Sequence, residues 1–175
     1  MELERLFYPQ SIAVIGASPS LKGGGKFPYY QVIQWGGYKG RLYPVNPNCD
    51  EIDGTKVYHT IDDLPESVDL VIVSISAKYA IETMEAAARN KAKFIHFFTS
   101  GFSEVGNYAI EEALLKIARE SGIRIIGPNC MGVHCTESGI TCDIPQTPIT
   151  QIGEVAFLGQ SGGMTNNFMR MAHSR

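Results

Sequence analysis

The chain has 175 residues, 44% of them hydrophobic and 19% charged, which is the make-up of a globular protein with one full core and room for a fragment of a second. Its formal net charge of −3 gives no general attraction to nucleic acid or to an anionic membrane, so any phosphate binding must come from local backbone amides and a few lysines. No uncharged apolar run reaches the roughly 18 residues of a membrane span, residues 1–10 lack a basic region followed by an apolar one, and Cys49, Cys130, Cys135 and Cys142 are too few and too uneven for a disulfide framework. A reduced, cytoplasmic setting is expected.

Ser11 to Ile15 is an apolar run ending at Gly16, the pattern of a buried parallel strand. After a glycine-rich loop, Pro28 to Trp35 has apolar residues at helical spacing and stops at Gly36-Gly37. Arg41 to Val45 reads as a second strand closed by the turn Asn46-Pro47-Asn48, and Val57-Tyr58 as a short strand at most. Asp69 to Ile75 is the clearest strand; Ala77 to Arg89 follows as a helix with Ile81, Met84 and Ala88 on one stripe. Lys93 to Phe98 is another strand, and Tyr108 to Glu120 a helix with Ile110, Leu114 and Ile117 inward and Gly122 as its stop. Ile123 to Ile126 is the next strand. This alternation predicts an α/β, Rossmann-like fold over residues 1–135: a parallel sheet with helices on both faces.

From Thr136 to Gly153 the sequence holds Pro145, Pro148, Gly139, Gly153 and several threonines without apolar periodicity, and reads as a linker. Glu154 to Leu158 restarts as a strand, turns through residues 159–163 and continues as a helix from Met164 to His173. Residues 154–175 thus read as the first βα unit of a second α/β domain.

In an open parallel sheet, ligands bind where the loops at the carboxyl ends of the strands converge. Those loops, 16–26, 46–48, 74–77, 99–102 and 127–132, are rich in Gly, Ser, Thr and Asn, which supply backbone N–H groups and hydroxyls for phosphate and ribose oxygens. The first loop is not a Gly-x-Gly-x-x-Gly, since Ala17, Ser18 and Pro19 follow Gly16. Val45-Asn46-Pro47 also stands where a dinucleotide site places its ribose-binding acid. Both features disfavour NAD(P), whereas Lys22, Lys26 and Arg41 suit a phosphorylated ribose.

The runs Leu6 to Ser18, Gly40 to Pro47, Ser100 to Glu104, Gly127 to Gly132 and Val155 to Gly163 resemble, in the same order, segments of ADP-forming acetyl-CoA synthetases. These belong to the NDP-forming acyl-CoA synthetase superfamily, which includes the α subunit of succinyl-CoA synthetase. The resemblance implies that residues 1–135 bind coenzyme A and that the second domain is flavodoxin-like. It implies that Gly16, Ala17, Ser18, Pro19 and Ser20, with Lys26, approach the CoA phosphates, and that Val45, Asn46 and Pro47 border the adenosine. Ser74, Ile75, Ser76, Phe98, Thr99 and Ser100 would line the cleft, and Asn129 and Cys130 would sit near the thiol. Ser161, Gly162 and Gly163 would face the phosphate of a phosphohistidine at a helix N-terminus.

Many relatives carry a lysine just after the Asn-Pro pair, where this chain has Asn48 and Cys49; Lys22 or Lys26 is expected to substitute. The phosphohistidine is expected beyond residue 175, together with its supporting carboxylate and an ATP-grasp part, fused or in a separate β subunit, that holds the Mg-nucleotide. The implied reaction, acid plus CoA and ATP to acyl-CoA, ADP and phosphate through an acyl phosphate, is therefore not completed within these residues. A stand-alone or regulatory CoA-binding module is the alternative reading, and a plain NAD(P)-binding Rossmann domain, disfavoured by the first loop and the missing acid, is the third. A bulky residue at Gly16 or Ser18 is expected to abolish CoA binding while leaving the fold intact.

His59 and His96 are read as structural. The spacing of Cys130, His134, Cys135 and Cys142 fits no zinc pattern, so no metal is expected, and Cys130 has no general base beside it in sequence. Tyr29, Tyr30, Trp35 and Tyr38 fit either a partner surface or a helix packed on the sheet. A stripe of Met164, Phe168 and Met171 would pack within the second domain or mediate homo-oligomer formation.

Overall fold

A computed structural model describes residues 3–19, 28–142 and 151–173. After a single helical turn, α1 (Glu4–Phe7), the chain enters β1 (Ser11–Ile15), all five residues of which are buried. Helix α2 (Tyr29–Trp35) leads to β2 (Arg41–Val45), which pairs in parallel with β1 from Ser11 opposite Arg41 to Ile15 opposite Val45. A two-stranded hairpin, β3 (Glu51–Ile52) and β4 (Thr55–Lys56), follows. The chain then crosses to the other side of β1 for β5 (Leu70–Val73), and α3 (Ala80–Asn90), β6 (Phe94–Phe97), α4 (Tyr108–Ser121) and β7 (Arg124–Ile126) complete the unit. The sheet order is β2-β1-β5-β6-β7, every pairing parallel.

Strand periodicity of two sorts the side chains into two cores. Ala13, Ile15, Val71, Val73, Ile95 and Phe97 face α3 and α4, whereas Ile12, Val14, Leu70, Ile72 and Phe94 face Leu6 and, from α2, Tyr29, Tyr30 and Ile33. The central strands β1, β5 and β6 are buried along their whole length, as their apolar runs predict, whereas the edge strands β2 and β7 are exposed at Arg41 and Arg124. Gly122, at φ +78, stops α4 as expected.

Three expectations change. On α3 the buried stripe is Ala80, Thr83, Met84 and Ala87, and Ile81 is 36% exposed: a 3₁₀ turn over Ala77–Tyr79 precedes the helix, and Ala80, Met84 and Ala87 turn into the core that holds Val71, Ile95 and Phe97. Second, the stretch after Cys135 is packed as far as Cys142. Cys135 and Ile140 form an antiparallel bridge, and Ile140, Thr141 and Cys142 are buried. Third, residues 154–158 lie in no strand, and Val155 and Leu158 are exposed; with no strand beside them among the described residues, their backbone has no ladder to join. Helix α5 (Gly162–His173) forms as expected. Its Phe168 stacks on Phe157 at 4.4 Å between centroids, while Met164 and Met171 are exposed.

Candidate functional site

The order β2-β1-β5 places a topological switch at the carboxyl ends of β1 and β5, where the chain departs in opposite directions and leaves a crevice. Gly16 lies there at φ +89, its N–H bonded to the Val45 carbonyl at 2.9 Å. A Cβ on it would stand 2.8 Å from the Ser74 carbonyl oxygen and 2.6 Å from Ile75 Cγ2, so both conformation and space require glycine. Asn46 Nδ2 donates to the Ala17 carbonyl at 2.6 Å while its Oδ1 accepts from the Asn48 N–H at 2.9 Å. From α2, Gln31 Nε2 donates to the Ser18 carbonyl at 2.7 Å. The loop is thus pinned at 17 and 18 by two amides. Asn46 was expected from sequence at the rim. Gln31, 5% exposed, was not, and its one signal was a polar residue inside an apolar helix face. Pro19 is exposed and Pro47 sits in the Asn46–Asn48 turn, whereas Ser20, Lys22 and Lys26 lie outside the described residues.

Beside this crevice is a cleft of about 1030 Å³ lined by Ser74–Ser76, Phe98–Ser100 and 128–132, with Phe157–Gln160, Gly162, Gly163 and Thr165 opposite. It gathers Ser74, Ile75, Ser76, Phe98, Thr99, Ser100, Asn129, Cys130, Gly162 and Gly163; the Gly16–Pro19 loop, Val45, Asn46 and Pro47 are not in its wall. Ser161 is not in it either: its Oγ accepts the Met164 N–H at 3.3 Å and caps α5. Among the described residues the wall carries no Lys, Arg, Asp or Glu, so its polar character comes from hydroxyls, the amides of Asn129 and Gln160, thiols and backbone.

The three loops of the near wall are laced together. Thr99 Oγ1 donates to the Ile75 carbonyl at 2.6 Å, and the Asn129 N–H to the Thr99 carbonyl at 3.0 Å. Glu104 accepts the N–H groups of Gly101 at 2.6 Å and Phe102 at 3.0 Å; the Gly101 bond foremost holds its carboxyl below the ordinary carboxylate range.

Beneath the 128–132 loop lies His96, 3% exposed, with Nε2 2.7 Å from the Cys130 carbonyl oxygen. Burial pushes its pKa down to about 4, the Cys130 bond opposing, so the neutral ring donates through Nε2–H. Tyr29 donates its hydroxyl to the Met131 carbonyl and packs edge-on against His96 (5.6 Å) and Phe98 (5.1 Å); burial raises its phenol. Gly132 stands over the ring, a Cβ there meeting His96 Cε1 at 2.6 Å. Tyr29 and Tyr30 are therefore core, and Trp35 is exposed. His59 pairs with Asp50 on the surface at 2.8 Å, and His134 is bonded to Thr141 and Thr136. Among the described residues no group of three or more His, Cys, Asp or Glu could hold a metal, and no helix is long and apolar enough to cross a membrane.

Comparison with known proteins agrees with this architecture. An acetate–CoA ligase (ADP-forming) II from Archaeoglobus fulgidus is 39% identical over 163 residues, covering 92% of this chain and 24% of that protein. The α subunit of acetate–CoA ligase (ADP-forming) I from Pyrococcus furiosus is 34% identical over 170 residues, covering 94% and 36%. The solved acetyl-coenzyme A synthetase 1 of Candidatus Korarchaeum cryptofilum, in complex with phosphate and ADP, superimposes with a TM-score of 0.86 at 33% identity, covering 99% of this chain and 37% of that one. The chain thus spans about a quarter to a little over a third of the length of these relatives. The family profile described as CoA binding domain matches residues 10–136, and with that match the chain belongs to the CoA binding domain family.

Proposed function

We propose that the chain binds coenzyme A at the carboxyl end of its sheet and is the CoA-binding portion of an NDP-forming acyl-CoA synthetase. The observation that carries this reading is the cleft of about 1030 Å³, without a charged side chain among its described lining residues, with Asn129 and Cys130 on one wall and the start of α5 on the other. It offers a thioester-sized reaction space beside a glycine loop, and α5 presents the positive end of its dipole to a phosphate. Against a dinucleotide, Asn46 stands where the ribose-binding acid belongs and uses its amide on Ala17. In this reading Gly16–Ser20 and Lys26 hold the CoA phosphates, Val45–Pro47 border the adenosine, and Ser74–Ser76 and Phe98–Ser100 flank the pantetheine. Gly162 and Gly163 face the phosphate. In this reading the CoA-binding domain covers 1–135 together with the packed stretch as far as Cys142, and a flavodoxin-like domain starts at 154. The phosphohistidine and an ATP-grasp partner, fused or separate, complete the reaction from acid, CoA and ATP to acyl-CoA, ADP and phosphate.

Titration by calorimetry and thermal shift is expected to show CoA stabilising the chain most, dephospho-CoA less and NAD not at all. At a ligand concentration of 100 Kd the gain is about 2.7 kcal/mol. Stabilisation by NAD without CoA overturns the reading. Glu104→Ala, which removes the acceptor for Gly101 and Phe102 beside the cleft, is expected to weaken CoA several-fold with little change in Tm; unchanged affinity would separate that loop from the site.

A further inference from the structure

Two buried side chains reach up to two consecutive carbonyls of one loop. His96 Nε2–H meets the Cys130 carbonyl and the Tyr29 hydroxyl meets the Met131 carbonyl, both from the apolar interior around Leu70, Ile72 and Ile140. The Cys130–Met131 and Met131–Gly132 peptides are trans, and in a planar trans peptide the N–H points opposite to the C=O. With both carbonyls drawn inward, the N–H groups of Met131 and Gly132 are turned outward together, toward the cleft whose wall both residues form. Among the described residues neither N–H donates a hydrogen bond to the protein. Two successive N–H groups aimed the same way make a concave site for a partly or fully negative oxygen. Gly132, at φ +106, supplies the backbone conformation, and its missing Cβ leaves room for the His96 ring.

We infer that the Met131 and Gly132 N–H groups form the binding site for the carbonyl oxygen of the acyl group, and that His96 and Tyr29 are the positioning residues that aim them. This rests on the CoA reading for the position of the thioester, and the same oxygen is presented by an acyl phosphate. An acyl carbonyl fits better than a phosphate here because the wall carries no cation among the described residues, and two neutral donors match one carbonyl oxygen.

The test compares acetyl-CoA with S-ethyl-CoA, a thioether of like size without the carbonyl oxygen, by calorimetry. The native chain is expected to prefer acetyl-CoA by about tenfold. Tyr29→Phe and His96→Phe keep an aromatic ring and lose the donor, and should bring the ratio near one; His96→Gln keeps an N–H donor and should retain most of it. A general loss of packing moves both ligands together and leaves the ratio intact. In parallel, amide NMR of the native chain with acetyl phosphate should move the Met131 and Gly132 protons downfield, while inorganic phosphate at equal concentration does not. If neither CoA ligand binds but acetyl phosphate moves those two amides, the carbonyl site stands and the CoA reading falls. Equal affinity of the native chain for the two CoA ligands overturns the inference. So do a ratio unchanged in folded Tyr29→Phe and His96→Phe, and amides that phosphate moves as far as acetyl phosphate does.

Discussion

Gly16→Val is expected to abolish CoA binding, by a factor of at least about a hundred, and to lower Tm by about 5–10 °C. Two separate costs act. The backbone stands at φ +89, where a β-branched residue is strained by about 1–3 kcal/mol. The new Cβ also falls 2.8 Å from the Ser74 carbonyl oxygen and 2.6 Å from Ile75 Cγ2; the carbonyl is main chain and cannot swing aside, so the loops after β1 and β5 must part at the switch point. Sequence alone leads to the expectation that a bulky residue here spares the fold, and the contact with Ser74 corrects it: the fold itself needs this glycine, whatever it does for the proposed CoA site. Gly54→Val is the control. Gly54 has φ +78 with nothing within 4 Å of an added Cβ, so it carries the conformational strain without the collision, and should lower Tm by less while leaving CoA affinity unchanged. Calorimetry with CoA at a temperature well below both melting points reads the difference. Native affinity in Gly16→Val would take the loop out of the site.

How much of this was legible in the sequence differs by element. The strand Leu70–Val73 announces itself, because a strand buried on both faces is an unbroken apolar run. The loops at the strand ends were legible through their Gly, Ser and Asn content, and ten of the residues expected in the site line one cleft. The inward side of α3 differs from its sequence pattern at Ile81, since periodicity gives a helix its apolar stripe but not the rotation that turns Ala80 and Ala87 into the core. Residues 154–158 carry strand-forming side chains, yet a strand is a pairing and no partner is described beside them. The least legible were the braces. His96 and Cys130 are 34 residues apart and Tyr29 and Met131 are 102 apart, so nothing local marks either pair. Within its own strand, His96 reads only as a histidine among apolar residues.

That histidine carries the second large effect. The stability of the folded chain should fall by about 3 kcal/mol between pH 6.5 and 4 from His96 alone. The folded pKa of about 4 lies below the 6.5 of an accessible imidazole, so in this window the unfolded chain binds a proton that the folded chain refuses, and stability rises with pH. The contribution is fully present above pH 6.5 and is lost as the pH falls to about 4, at about 1.4 kcal/mol for each unit of pKa difference. The cause is desolvation. Nε2–H already donates to the Cys130 carbonyl in the neutral ring, so protonation gains no partner there and places a full charge among Leu70, Ile72 and Ile140. The carboxyls of Glu104, Asp62 and Glu66 are held low by their hydrogen bonds; their contributions disappear at still lower pH, and identically in a variant that lacks the histidine. Urea unfolding of native chain and His96→Gln across pH 4–7.5 isolates the difference. The variant, with a donor for Cys130 and nothing to titrate, should be less stable at neutral pH but flatter toward acid, so that the gap narrows by about 3 kcal/mol. Two curves running parallel from pH 7 to pH 4 would mean that the buried imidazole accepts its proton as readily as the unfolded one, and the brace beneath the cleft would then have to be open to water.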